Sequence, residues 1–232
     1  MKLAILHLSD FHFKKENSGC IIDRAHQVAN AVKLSFADCK KIYVVVSGDI
    51  ANVGQSSEYE SAKTFFTRLR SGLANNYNGE IPVDKRIFCV PGNHDVLLKE
   101  DNKVRTVLLK SVQDTYPEID RSIFENIVQA QNAYTEFVRE INDEPTYKPS
   151  LQHVINDKID GFKIQFNLYN TAWMFSLNDP QGSIYMPIAG MKNEIVKHSQ
   201  NEADLVVSVM HHYFNWLAVA KQNKTDFMRR IA

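Results

Sequence analysis

Apolar and polar positions follow two rhythms along the chain. Leu3–Leu8 is a short apolar run that stops at Ser9-Asp10, and Ile42–Val46 is a nearly pure β-branched run that stops at Ser47-Gly48-Asp49. Runs of this length, bounded by turn residues, predict buried strands. Between them Ile22, Ala25, Val28, Ala29, Val32 and Phe36 recur at spacings of three and four, which predicts a helix. A polar loop then runs to Ser57. Tyr59, Ala62, Phe65, Phe66 and Leu69 mark a helix over Glu58–Leu69, Asn75–Gly79 reads as a loop, and Ile87–Val90 is a third strand stopped by Pro91-Gly92. This βαβαβ order predicts helices packed on an at least partly parallel sheet.

The middle of the chain changes character. Residues 99–141 are mainly helical in pattern, interrupted near Tyr116-Pro117, and are expected as an insert within one domain spanning residues 1–232. Asn142–Ser150, with Pro145 and Pro149, is a connector. Strand patterns return at Phe162–Tyr169 and Leu205–Val209, with a short helix expected at Ile188–His198 and another over Val219–Ile231.

Composition narrows the function classes. The 27 basic and 27 acidic residues cancel, so a nucleic-acid binder working by bulk positive charge is disfavoured. The apolar share of 44% excludes disorder as a description of the whole chain. No window approaches the roughly 20 apolar residues of a membrane helix, so no membrane partner is expected. The three cysteines, Cys20, Cys39 and Cys89, are widely spaced and form no Cys-x-x-Cys pair. A reducing, cytoplasmic setting is expected, with neither a disulfide framework nor a zinc knuckle.

Four polar clusters sit just after strand patterns: Asp10-Phe11-His12, Gly48-Asp49, Gly92-Asn93-His94-Asp95 and His211-His212. Singly they say little, since Asp-x-His arises by chance, Gly-Asp is a common turn and a His pair is more often structural. In an extended segment residues i and i+2 point the same way, which would aim Asp10 and His12 at one point. Together the clusters gather at one edge of a sheet, where α/β folds place their sites. Carboxylate, imidazole and amide donors suit Mn²⁺, Fe or Zn²⁺. Other candidates have plainer explanations: Trp173 and Trp216 as packing aromatics, His7 as packed in its strand, and His26, His153 and His198 as surface residues.

In this order the clusters resemble the signature of the calcineurin-like metallophosphoesterase superfamily, and the resemblance spans nearly the whole chain. It implies an α/β fold, a two-sheet sandwich flanked by helices, and a metal-dependent phosphoesterase. Two divalent cations would be bridged by Asp49, with Asp10 and His12 on one and Asn93 and His211 on the other, and would supply the attacking hydroxide. His94 would protonate the leaving oxygen. Asp95 would orient His94 or cap the next helix, Asn52 would reach the phosphate, and His212 would lie behind His211 or face the substrate. The stretch from Gly48 to Gly54, followed by Glu58-Tyr59, is similar to the class III cyclic-nucleotide phosphodiesterase branch. That favours a diester over a monoester and a nucleotide-like or other small substrate.

Two departures stand out. His211-His212-Tyr213-Phe214 lacks the branch's usual prolines, and the family's Gly-His-x-His does not occur through Ala232. Either the chain is a piece of a longer protein, with room for a fused C-terminal domain, or its lineage lacks the motif; the first is expected, because the pattern is intact up to the last residue. The alternatives to a small-molecule phosphodiesterase are a metal-dependent nuclease, unsupported by the neutral charge, and a non-catalytic scaffold or regulatory module.

Overall fold

The computed structural model of the chain describes residues 1–16, 18–78, 80–98, 103–115, 119–177, 179–187 and 203–231. Among these residues six strands form two three-stranded sheets. In the first, β1 (Ala4–Leu8), β2 (Ile42–Val46) and β3 (Val83–Cys89) lie side by side and all run parallel. In the second, β5 (Phe162–Tyr169) is central, antiparallel to β4 (Gln152–Ile159) and parallel to β6 (Leu205–Val209).

β2 is buried at every position, because it is paired on both edges and covered on both faces. Its Tyr43 and Val45, with Phe88 and Val90, meet Ile164, Phe166, Leu168 and Val209 between the sheets. The Phe166 ring lies 4.9 Å from Tyr43 and 4.7 Å from Phe88. Each such side chain, fully buried, contributes about 1.5–3 kcal/mol of transfer free energy. The two-sheet sandwich implied by the resemblance is therefore present.

Helices cover both outer sides. α1 (Gly19–Asp23), α2 (Ala25–Ala31) and α3 (Ser56–Asn76) follow the first strands, α4 (Lys103–Thr115), α5 (Arg121–Ile127) and α6 (Asn132–Asn142) occupy the middle, and α7 (Asn223–Ile231) comes last. The segment expected as one helical insert divides between two cores. Tyr134, Phe137, Val138 and Ile141 of α6 pack with α2, α3 and the first sheet. Leu109, Val112, Phe124 and Ile127 of α4 and α5 pack with Trp173 and Phe227.

Several local expectations need correction. The helix expected over residues 22–36 is two short helices meeting at Arg24, α3 runs on to Asn76, and β3 begins at Val83. β4 was not foreseen, because its inward positions are His153, Ile155, Asp157 and Ile159, and two polar residues among four erase the apolar alternation. Asp160 and Gly161, both at positive φ, form its two-residue hairpin turn to β5. His7 is exposed and shares a 2.8 Å hydrogen bond with the Ser47 hydroxyl, rather than being packed in its strand. His153 is half-buried with its Nε2 fully enclosed, and burial lowers its pKa to about 4. The expected helix at Ile188–His198 and the break at Tyr116-Pro117 lie outside the described residues. No helix among the described residues is long and apolar enough to cross a membrane.

At the N-terminal end of β2 an ionic clamp ties the sheets. Lys41 Nζ lies 2.9 Å from Asp84 and 2.6 Å from Asp157 of β4, whose carboxylate also accepts the Tyr43 hydroxyl at 2.8 Å. Burial would raise both carboxyl pKa values, but hydrogen bonds from Arg86 and Lys41 to Asp84, and from Lys41 and Tyr43 to Asp157, outweigh it and lower them. Depressed carboxyl pKa values add stability above the unfolded value of 3.8 and lose it as pH falls through the folded value. Asp157→Ala should cost about 1.5–3 kcal/mol at pH 7, the range for hydrogen bonds to a charged group. Chemical denaturation across pH should show the gap between wild type and variant closing only in acid below pH 3.8.

Candidate metal centre

The three parallel strands of the first sheet end at one edge, and β6 brings His211 to the same place. The loops after β1 and β2 stay zipped beyond the strand ends. Ser47 N–H donates to Leu8 O at 3.0 Å, Asp10 N–H to Gly48 O at 3.2 Å, His12 N–H to Asp49 O at 3.0 Å and Phe13 N–H to Ile50 O at 2.8 Å. Within this zip Asp10, His12 and Asp49 have φ of 57°, 48° and 54°. Left-handed backbone is uncommon for residues with a side chain and persists where surrounding bonds over-determine it. The expectation that Asp10 and His12 alternate along an extended strand is thereby corrected: β1 ends at Leu8 and both residues are left-handed.

Two glycines permit the close approach of the loops. Gly48 has φ of 100°, and a Cβ there would stand 2.6 Å from His211 Nδ1. A Cβ on Gly92 would stand 2.1 Å from Asp49 Oδ1. The turn expected at Gly48 is present, and both positions also exclude any side chain by contact.

Asp49 is the centre of the arrangement. It is 4% exposed, and two imidazole nitrogens lie beside its carboxylate: His211 Nε2 at 3.5 Å from Oδ1 and His12 Nε2 at 3.8 Å from Oδ2. The His94 backbone N–H donates to Oδ1 at 3.0 Å. One donor atom from each of His12, Asp49 and His94 falls within 4.8 Å of the others. His211 Nε2 also lies 3.0 Å from Asn93 Oδ1.

The outer nitrogens of two rings are committed to the backbone. His94 Nδ1 meets the Asn52 carbonyl at 2.6 Å, and His211 Nδ1 meets the Ser47 carbonyl at 2.8 Å. A carbonyl only accepts, so in the neutral ring each Nδ1 carries the proton and each Nε2 keeps its lone pair; that of His211 then faces two further acceptors, Asn93 Oδ1 at 3.0 Å and Asp49 Oδ1 at 3.5 Å, a crowding of acceptors that a cation between them would relieve. Metal-ligating histidines are held in this way. A buried carboxylate facing inward lone pairs, with no Lys or Arg paired to it among the described residues, is the environment a cation neutralises. The residues present fit a divalent metal ion.

The structure thus brings His12, Asp49, Asn93, His94 and His211 together. Asp10 adjoins them through its backbone bond to Gly48 and is exposed; the tight donor set does not include it. Asn52 enters through its carbonyl on His94, and its own N–H is taken by Phe13 O at 3.0 Å. Asp95, fully buried, does not orient the His94 ring. Its carboxylate accepts from the N–H groups of Gly92, Ile50 and Ala51 and from the Tyr59 hydroxyl. His212 is buried behind His211, against Phe175 and Trp216, and bonded to Thr171. Burial, then the neighbouring His211, lowers its pKa to about 3, so it stays neutral.

Sequence reasoning missed Ser47 and Thr171, which act through a carbonyl and a hydroxyl that no pattern marks. Glu58 had a readable signal. Its carboxylate accepts the N–H groups of Val53 and Gln55, both at 3.0 Å, and Gln55-Ser56-Ser57-Glu58 has the spacing of a helix-capping box.

A search of the curated proteins returned no match. A family model of calcineurin-like phosphoesterases matches residues 3–224, nearly the entire chain and every residue of the cluster. The chain belongs to the calcineurin-like phosphoesterase family, whose chemistry is metal-dependent hydrolysis of phosphoesters.

Proposed function

We propose that this chain is a phosphodiesterase working through a centre of two divalent cations, with a small, nucleotide-like diester as substrate. The observation that carries the metal reading is the buried Asp49 carboxylate with inward-facing imidazoles around it. Asp49 would serve both cations, with Asp10 and His12 holding one and Asn93 and His211 the other. Mn²⁺, Fe or Zn²⁺ suit this mixed donor set. When bound, such cations supply an activated water and a positive clamp on the phosphoryl oxygens. The preference for a diester is supported by the Gly48–Gly54 stretch with Glu58-Tyr59. A cytoplasmic setting is supported by the cysteines, since Cys20, Cys39 and Cys89 are all unpaired.

The chain's own residues do the rest. With its Nδ1–H held by the Asn52 carbonyl, His94 exchanges protons at Nε2, and it delivers one to the leaving oxygen. A second reading has His94 as a metal ligand, favoured by its place in the tight donor set with His12 and Asp49.

Two measurements separate these readings. Asp49→Asn should lose metal and turnover together, checked by Mn²⁺ titration and by hydrolysis of a panel of phosphomonoesters, cyclic nucleotides and single-stranded DNA. The highest kcat/KM is expected on the nucleotide diesters; preference for DNA would favour the nuclease, and no turnover by the metal-loaded wild type would favour the scaffold. His94→Ala should keep its metal and lose turnover by about 10²–10⁴, the usual share of a general acid. The loss should shrink for substrates with good leaving groups. Loss of metal as complete as in Asp49→Asn would make His94 a ligand.

A further inference from the structure

The N-terminal turn of α3 holds two buried polar residues whose hydrogen bonds leave the helix. Glu58 is 3% exposed and fixes the loop at Val53 and Gln55. Tyr59 is 2% exposed, and its hydroxyl donates to Asp95 Oδ1 at 2.9 Å. Asp95 Oδ1 also accepts Ala51 N–H at 2.8 Å, while Oδ2 accepts Gly92 N–H at 2.9 Å and Ile50 N–H at 3.2 Å. Ile50 and Ala51 directly follow Asp49, and Gly92 directly precedes Asn93. The carboxylate of Asp95 is therefore a staple between the two loops that carry Asp49 and Asn93. Tyr59 is the donor on that staple that belongs to neither loop.

Ring packing does not explain the Tyr59 hydroxyl. The ring stacks on Phe137 at 5.1 Å with an interplanar angle of 28°, a contact that phenylalanine would make equally well. Burying a hydroxyl costs free energy unless it is bonded, so its presence is accounted for by what it holds. Each donor to Asp95 matters, because a buried carboxylate held only by neutral donors is poorly compensated.

We propose that Tyr59 is a positioning residue for the metal centre: through Asp95 its hydroxyl sets the separation of the Asp49 and Asn93 loops on which convergence of their donor atoms depends. This rests on the metal reading above and extends it to a helix that touches no ligand.

The test is calorimetric titration of Mn²⁺ into the full chain as wild type, Tyr59→Phe and Tyr43→Phe. Tyr43 is a matched control, because its buried hydroxyl also donates to a carboxylate, that of Asp157, in the clamp at the other end of β2. Tyr59→Phe should bind Mn²⁺ about 10–100-fold more weakly, the usual effect of losing a group that orients ligands. Tyr43→Phe should lose thermal stability but bind as the wild type does. Asp95→Asn should weaken binding more than Tyr59→Phe, because an amide nitrogen would face N–H donors. Independently of the metal-free Tm, the Tm rise produced by a fixed Mn²⁺ concentration should shrink in Tyr59→Phe and not in Tyr43→Phe. Wild-type affinity in Tyr59→Phe, or equal weakening in both tyrosine variants, would overturn the positioning role while leaving the metal centre standing. No Mn²⁺ binding by the wild type would remove the centre and this inference with it.

Discussion

A negative charge buried at the meeting point of two loops is the constraint from which the site is built. The Asp49 carboxylate sits where the ends of β1, β2, β3 and β6 converge, and it is almost without access to water. A carboxylate in such a place is costly unless it is paired. The surroundings supply imidazoles, one backbone N–H and two glycines whose missing side chains let the loops close around it. His211 comes from the second sheet, so the geometry of the cluster depends on the packing of one sheet on the other. The Tyr43, Phe88 and Phe166 rings in that interface thus bear on the site without touching it.

The backbone does much of the positioning. The Ser47 and Asn52 carbonyls fix two imidazoles, and the zip between residues 8–13 and 46–52 holds three left-handed residues in place. Asp95 works in the same manner, as a side chain that gathers backbone donors. His212, adjacent to a candidate ligand, is held differently: its ring is enclosed by Phe175 and Trp216 and stays neutral.

Legibility in the sequence followed the chemistry of each position. Strong apolar runs such as Ile42–Val46 marked buried parallel strands, and chemistry-bearing residues directly after them marked the edge where the site lies. β4 was hidden because its inward face uses His153 and Asp157 for an ionic contact and a ring stack rather than for apolar packing. Its Asp160-Gly161 turn was the clue available, as both residues adopt the positive φ that such a hairpin requires. At the site the residue types were legible, but orientation was not. Strand alternation is the wrong geometry for Asp10 and His12, because the chain leaves β1 at Leu8. Asn52 and Ser47 contribute carbonyls, which every residue possesses and no pattern reveals. Tyr59 read as one more apolar position on a helix face, and only its hydroxyl's partner distinguishes it.

The central claim is that Asp49 and the imidazoles around it hold metal. Crystals of the chain grown with Zn²⁺ and measured at the zinc absorption edge test it directly. The account predicts anomalous density about 2.0–2.2 Å from an Asp49 carboxylate oxygen and from an imidazole Nε2, the normal zinc–ligand distances. Fully occupied zinc bound elsewhere on the chain, with no density at Asp49, would contradict it.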